Sequence, residues 1–291
     1  MPFDRRSILA AIGGAAALTP LLKPSGAAAQ SSDGAIAPAP PDLRDVDAAA
    51  ANAHVRLMQV PGLNMHGNER VAMLLYPGFT ALDLVGPHYF FGSMMGAEVH
   101  LVTNQSDLRP VQSDLGLSIA PTRTLADCPA DLTILFVPGG TTGTLAAAGD
   151  ARTIGFVRDR ARLANYVTSV CTGALILGAA GLLNGRRATS HWAVRDVLGH
   201  FGATAVDERV VVDGNIITGA GVSAGLDFGL ALVEAIRGRP YAEALMLQAE
   251  YAPRPPFAGG TLATTDPAIA GPMHDMFGGL AARARALDVP A

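Results

Sequence analysis

The sequence predicts an α/β protein, a three-layer α/β/α sandwich built around a mostly parallel sheet. Short, near-continuous apolar runs alternate with stretches of helical patterning, and such runs mark strands covered on both faces. Three of the runs stop at abrupt turns: Tyr76-Pro77-Gly78, Val137-Pro138-Gly139-Gly140 and Val170-Cys171-Thr172-Gly173. The composition, 49% hydrophobic and 16% charged over 291 residues, suits one large, well-buried core.

The elements follow in order. Residues 71–76 read as a buried strand ended by Pro77-Gly78. Thr80 is placed to cap a helix from Ala81 to about Phe91. Residues 99–103 form a second strand, and residues 111–120 a hairpin or short edge pair. Residues 132–137 are another buried strand, followed by helical patterns to about Leu163. Residues 166–170 form the next strand, with a helix from Thr172 to Ala180 stopped by Gly181. A further helix is expected from Trp192 to Phe201. Residues 210–212 and 216–218 flank Asp213-Gly214-Asn215, a hairpin turn. Ser223 is placed to cap a helix to about Arg237, and Pro240 to open the last one, through Glu250. Alternating strands and helices give a mostly parallel sheet. Its chemistry is expected beyond the carboxyl ends of the strands.

The α/β domain is expected to span residues 70–258. Residues 30–69 read as a Pro/Ala-rich tail and linker with a short helix from Asp45 to Met58, and residues 259–291 as a loose tail. Residues 1–29 are expected to be a signal peptide: Arg5-Arg6 precede a weakly apolar stretch, and Ala27-Ala28-Ala29 supply a small-residue cleavage pattern. Paired arginines in that position resemble a twin-arginine export signal, which implies a periplasmic or secreted protein; the alternative is an ordinary secretory signal or a retained membrane anchor. The apolar stretch is short and interrupted by glycine, so no stable membrane span is expected after processing.

Formal net charge is −4, aromatics are 5%, and no long Lys/Arg run occurs. Nucleic acid is therefore not an expected partner. The histidines lack ligand-like spacing and neither cysteine has a partner at metal spacing, so no metal is expected. Cys128 and Cys171 are the two cysteines; two residues make no disulfide framework, and Cys128 reads as a small structural residue.

Ser169-Val170-Cys171-Thr172-Gly173-Ala174 is the sharpest local signal. A small nucleophile between a buried strand and a helix follows the logic of a nucleophile elbow. Free N–H groups and the positive end of the helix favour a thiolate there. The alternative is a buried cysteine that only packs. Gly139, Gly140 and Thr141 end the neighbouring strand, where backbone N–H groups are placed to stabilise an oxyanion; the alternative is a turn that needs glycine. Asp83, a lone carboxylate among Leu82, Leu84 and Val85, is placed to share a proton with the thiol, or else merely favours a helix start. His191 is a candidate base or substrate contact, though a locally hydrogen-bonded histidine fits it better.

Taken together these segments resemble the ThiJ/PfpI superfamily, which has the class I glutamine amidotransferase-like (flavodoxin-like) fold. The matching order is Tyr76-Pro77-Gly78-Phe79 with Leu82-Asp83 and Gly86-Pro87, then Val137-Pro138-Gly139-Gly140, then the segment around Cys171, then Thr189-Ser190-His191-Trp192. Within it the chain looks most like the isonitrile hydratases. Thr172 follows the nucleophile where protease-like members have histidine, and Asp83 stands where many relatives have glutamate. The runs 136–145 and 217–222 are similar too. The resemblance implies addition of water to an isonitrile to give an N-substituted formamide, with Cys171 as nucleophile, Asp83 as acid/base and Thr172 in support. It also implies a homodimer that needs no cofactor. An export signal departs from the familiar cytoplasmic hydratases. Other cysteine chemistry on the same fold, such as amidase, peptidase or glyoxalase-like activity, and a redox or ligand sensor are the rival readings.

Overall fold

The computed structural model describes residues 43–289. The twin-arginine and cleavage motifs lie outside the described residues. The chain divides into two units, and the second, Ala49–Ala291, contains every strand. A helix, α1 (Leu43–Met58), precedes the sheet.

Seven strands form the central sheet in the order β10-β11-β7-β6-β1-β2-β5. These are β1 (Arg70–Leu75), β2 (Glu98–Thr103), β5 (Arg123–Thr124), β6 (Ile134–Val137), β7 (Tyr166–Val170), β10 (Val210–Asp213) and β11 (Ile216–Gly219). All pairings are parallel except β10 with β11, which the Asp213-Gly214-Asn215 turn joins as a hairpin. Four residues of β6 and five of β1 are buried, as the apolar runs require of strands covered on both faces. Helices α2 (Ala81–Gly92) and α6 (Ala224–Arg237) pack together on one face, with α7 (Arg239–Gln248) against α6. On the other face lie α3 (Thr142–Gly149), α4 (Ala151–Ala161) and α5 (Gly173–Ala179). The expected three-layer sandwich is thus the observed one.

Phe136 on β6 meets Phe91 of α2 and Phe228 of α6 at ring-centroid separations of 6.2 and 5.7 Å, and those two rings lie 6.3 Å apart. All three are fully buried. Each such contact contributes about 1 kcal/mol beyond area burial, and together they pin both helices to the strand that carries the Pro138-Gly139-Gly140 turn. A two-stranded hairpin, β3 (Val111–Gln112) with β4 (Ser118–Ile119), lies outside the main sheet. Its backbone is tied to the turn after β1, since Gly78 N–H donates to Gln112 C=O and Asp114 N–H to Phe79 C=O. The short pair β8 (Arg187–Ala188) and β9 (Thr204–Ala205) completes the strands.

Five expectations differ from what is observed; one is Ser223, which occupies the N-cap position of α6 but whose side chain makes no cap bond. Thr80 occupies the N-cap position of α2, yet its hydroxyl makes no cap bond and donates instead to Asp114. The expected helix from Trp192 is a 3₁₀ segment, Arg195–Phe201. The tail read as loose contains α8 (Pro267–Ala284), opened by Asp266, whose carboxylate accepts the Ala268 N–H, and by Pro267 at its first position. Asp-Pro is a good helix start, but the Pro/Gly-rich stretch before it obscured the signal. Finally, the segment read as linker ends inside the domain. Leu63 and Glu69 are buried, and the Arg237 guanidinium, 3% exposed, binds both Glu69 oxygens and the carbonyls of Asn64, Met65 and Met95.

Candidate active site

Cys171 sits where β7 gives way to α5, with φ at 59°. A non-glycine residue in the left-handed region is strained by about 1–3 kcal/mol and persists only where its surroundings hold it. Here the Cys171 N–H donates to Ala220 C=O at 2.7 Å, just beyond β11, while Ser190 Oγ donates to the Cys171 carbonyl at 2.8 Å. Both backbone polar groups of Cys171 are therefore fixed by long-range bonds. The nucleophile-elbow geometry expected at this position is present.

Asp83 lies in the first turn of α2 and is fully buried. Its Oδ2 accepts the Gly139 N–H at 3.0 Å. Oδ1 is a buried acceptor with no hydrogen-bond partner, and the Cys171 thiol lies close enough to this carboxyl group for each to shift the other's pKa. Burial raises the Asp83 pKa to about 7; the neighbouring Cys171 thiol and the Gly139 N–H oppose the rise, and the nearby Asp114 charge adds to it. The thiol is pushed well above the ordinary cysteine range, first by burial and then by the Asp83 charge, with the Thr172 N–H pulling the other way. The expected thiolate is corrected on this point. The helix end offers one N–H to the sulfur, whereas desolvation and an adjacent carboxylate both favour the neutral thiol. At neutral pH the thiol is neutral and the carboxyl stands near its own titration, ionised in about half of the molecules.

The glycine turn acts differently from an open oxyanion cradle. Gly139 N–H is spent on Asp83, and Gly140 N–H donates to Thr172 Oγ1 at 2.8 Å. Thr172 in turn donates to Gly140 C=O at 2.6 Å. Thr144 Oγ1 lies 2.9 Å from Thr172 Oγ1 and 2.9 Å from the Tyr76 hydroxyl, which also reaches Pro138 C=O. This buried network joins β1, the turn after β6, α3 and the elbow, so Thr172 braces the site through its side chain and meets the sulfur through its backbone N–H. A Cβ on Gly139 would lie 2.6 Å from both Asp83 Oδ2 and Thr172 N and 2.8 Å from Cys171 Cβ. Glycine is required there by close approach.

Thr141 is exposed at the start of α3 and makes no cap bond. His191 is half-buried; its Nδ1 accepts the Ala193 N–H at 3.3 Å, and its ring packs against Trp192 and Phe277. Burial, then Arg195, lowers its pKa. Among the described residues no hydrogen bond joins it to Cys171, which fits the local role over the catalytic one. Cys128 is a free, buried thiol whose pKa burial raises, and Cys171 is free as well.

Sequence reasoning missed Tyr76, Thr144, Ser190 and Asp114. Asp114 lies in the β3–β4 turn, its N–H held by Phe79 C=O and its Oδ2 by the Thr80 hydroxyl at 2.6 Å. Its charge reaches both Asp83 and Cys171. Nothing local distinguishes it from an ordinary turn aspartate.

Among the described residues no helix is long and apolar enough to cross a membrane. The model of the DJ-1/PfpI family matches residues 69–235. An isonitrile hydratase of Pseudomonas putida is 48% identical over 200 residues, covering 69% of this chain and 86% of that protein. The crystal structure of a ThiJ/PfpI family protein from Pseudomonas syringae superposes with a TM-score of 0.76 at 52% identity, covering 79% of this chain and 94% of that one. A DJ-1 superfamily protein from Salmonella typhimurium, crystallised as a cysteine-to-alanine mutant, matches at 26% identity with a TM-score of 0.56, over 64% of this chain and all of that one. With the family match covering more than half the chain and the elbow in place, this protein belongs to the DJ-1/PfpI family.

Proposed function

We propose that the chain is an isonitrile hydratase that converts an isonitrile and water to an N-substituted formamide through Cys171. The observation that carries the reading is the buried Cys171 thiol at a strained elbow beside the buried Asp83 carboxyl, whose pKa is about 7. An isonitrile carbon must receive a proton and a nucleophile at the same atom. A neutral thiol beside a carboxylate holds both. The similarity to the Pseudomonas putida hydratase supports the same activity.

In the first step the thiol proton passes to Asp83 and on to the isonitrile carbon while sulfur bonds to that carbon. The product is a thioimidate, R–N=CH–S–Cys171, with Asp83 again ionised. In the second step water adds to the same carbon, the nitrogen gains a proton, and collapse of the adduct breaks the C–S bond. Formamide leaves and the thiol is restored. This is covalent catalysis assisted by a carboxyl group, and Thr172 supports it by bracing the turn that holds Asp83.

The test is formamide production from cyclohexyl isocyanide by the purified protein and by Cys171→Ala. Turnover by the first and none by the second is the expected result. Absence of turnover by a folded protein whose Cys171 still alkylates would overturn the hydratase reading and leave another cysteine chemistry. The active form proposed is a homodimer, read from light scattering on the same preparation. The proposed location is periplasmic or secreted, read by cell fractionation with residues 1–29 present and deleted.

A further inference from the structure

The second half of this reaction needs a group to handle the attacking water, and Asp83 alone does not supply it. Asp83 and Cys171 are sealed from solvent, at 0% and 4% exposure. Asp114 is only part-buried; it holds the Thr80 hydroxyl, and the Thr80 N–H donates to Gly139 C=O beside the sealed pair. Three contacts fix its place. Its N–H donates to Phe79 C=O, the β3 strand beside it is tied through Gln112 C=O to Gly78 N–H, and the Thr80 hydroxyl donates to Oδ2 at 2.6 Å. Phe79 and Thr80 lead directly into the helix turn that carries Asp83. The remaining oxygen, Asp114 Oδ1, is a buried acceptor with no partner. A carboxylate oxygen in that condition is stabilised by a water molecule or a substrate donor. Asp83 Oδ1 is likewise a buried acceptor with no partner.

We propose that Asp114 is a further catalytic residue, the base that holds and deprotonates the hydrolytic water; this rests on the hydratase reading above. As the water oxygen bonds to the thioimidate carbon, one water proton passes to Asp114 and the C=N electron pair moves to nitrogen. Asp114 then gives that proton to the nitrogen. The second water proton leaves the new hydroxyl for Asp83 as C=O forms and the C–S bond breaks, and Asp83 returns it to the departing sulfur. Both carboxylates and the thiol end as they began, and the water has been divided between formamide oxygen, nitrogen and sulfur.

Asp114→Asn separates the two steps. It preserves an acceptor for the Thr80 hydroxyl, and its thermal midpoint checks the fold. Mixed rapidly with cyclohexyl isocyanide, the variant should form the Cys171 adduct at a rate within about threefold of the parent. Breakdown of the adduct should be slower by roughly 10²-fold, the usual loss for a general base. Intact-mass spectrometry should then show the adduct accumulating in the variant and not in the parent. Thr80→Val, which removes the hydroxyl and keeps the carboxylate, should show a smaller defect in the same step. Parent-like breakdown in Asp114→Asn, or equal slowing of both steps, would overturn the proposal while sparing the hydratase. No turnover by the parent would overturn both.

Discussion

Replacing Asp83 by asparagine should make the protein more stable and nearly inactive, with the stability gain growing as pH rises. The carboxyl is buried, and its pKa stands at about 7 against an ordinary 3.8. Between those values the native state holds more protons than the unfolded chain, so stability falls as pH rises. The loss begins near pH 4 and is complete just above pH 7. At 1.36 kcal/mol per pH unit, the charged Asp83 costs the fold about 4 kcal/mol at pH 8 and between about 1 and 2 kcal/mol at pH 5. Asparagine removes the titration while its amide oxygen can still accept the Gly139 N–H. Urea unfolding of both proteins at pH 5 and pH 8 measures the difference directly. A midpoint advantage for Asp83→Asn that is larger at pH 8 than at pH 5, with formamide production reduced by roughly 10²-fold or more, is expected. An advantage that does not change with pH, or a variant less stable than the parent at pH 8, would refute the argument that burial loads this carboxylate.

Alkylation of Cys171 by iodoacetamide should rise steeply with pH beyond the range of an ordinary cysteine, because burial and the Asp83 charge hold the proton on sulfur; mass spectrometry of the modified peptide reads it, and Asp83→Asn should move the rise to lower pH. Gly139→Ala should remove most activity, since its Cβ would press on Asp83 Oδ2 and Thr172 N, each 2.6 Å away, and steady-state kinetics should show the loss in kcat. Glu69→Ala should destabilise the fold by about 3–5 kcal/mol by stranding the buried Arg237 charge, whereas activity at low temperature should survive; denaturant unfolding and formamide assays separate the two effects. Burial raises the Glu69 pKa, but the hydrogen bonds and charge of Arg237 act against it and prevail, for a net depression. This pair's contribution is therefore present at neutral pH and lost as pH falls through the depressed value.

What could be read from the sequence was what short-range pattern encodes. The strands β1, β6 and β7 announced themselves as apolar runs, and the turns after them placed Cys171, Asp83 and Gly139 at one edge of the sheet. The resemblance to the ThiJ/PfpI superfamily joined those turns into one site. Pattern could not show that Gly139 and Gly140 spend their N–H groups on Asp83 and Thr172, because a Gly-rich turn reads alike whether its donors are free or bound. It could not show the state of the thiol either. The helix start is visible in sequence and favours thiolate, but the burial and the carboxylate that outweigh it come from α2, almost ninety residues upstream. Asp114 was hidden for the same reason: turn chemistry accounts for it locally, and only the contact of the β3–β4 hairpin with Phe79 and Thr80 brings it to the site. Helix α8 escaped notice because an 18-residue helix begins just after a Pro/Gly-rich stretch.

The protonation state of Cys171 also separates the rival readings. Redox sensing and peptidase chemistry draw on thiolate, which exposure and a nearby cation or histidine promote. Cys171 has the opposite surroundings: 4% exposure, an anionic neighbour, and threonine rather than histidine after it. Such surroundings hold the proton on sulfur, away from the thiolate on which those chemistries draw. It suits a reaction whose first step consumes the S–H proton and the sulfur together, at one carbon. Asp83, with its pKa at about 7, gives up and regains that proton at little free-energy cost near neutrality. The strain at the elbow and the instability loaded onto Asp83 thus fall on the two groups that α-addition to an isonitrile requires.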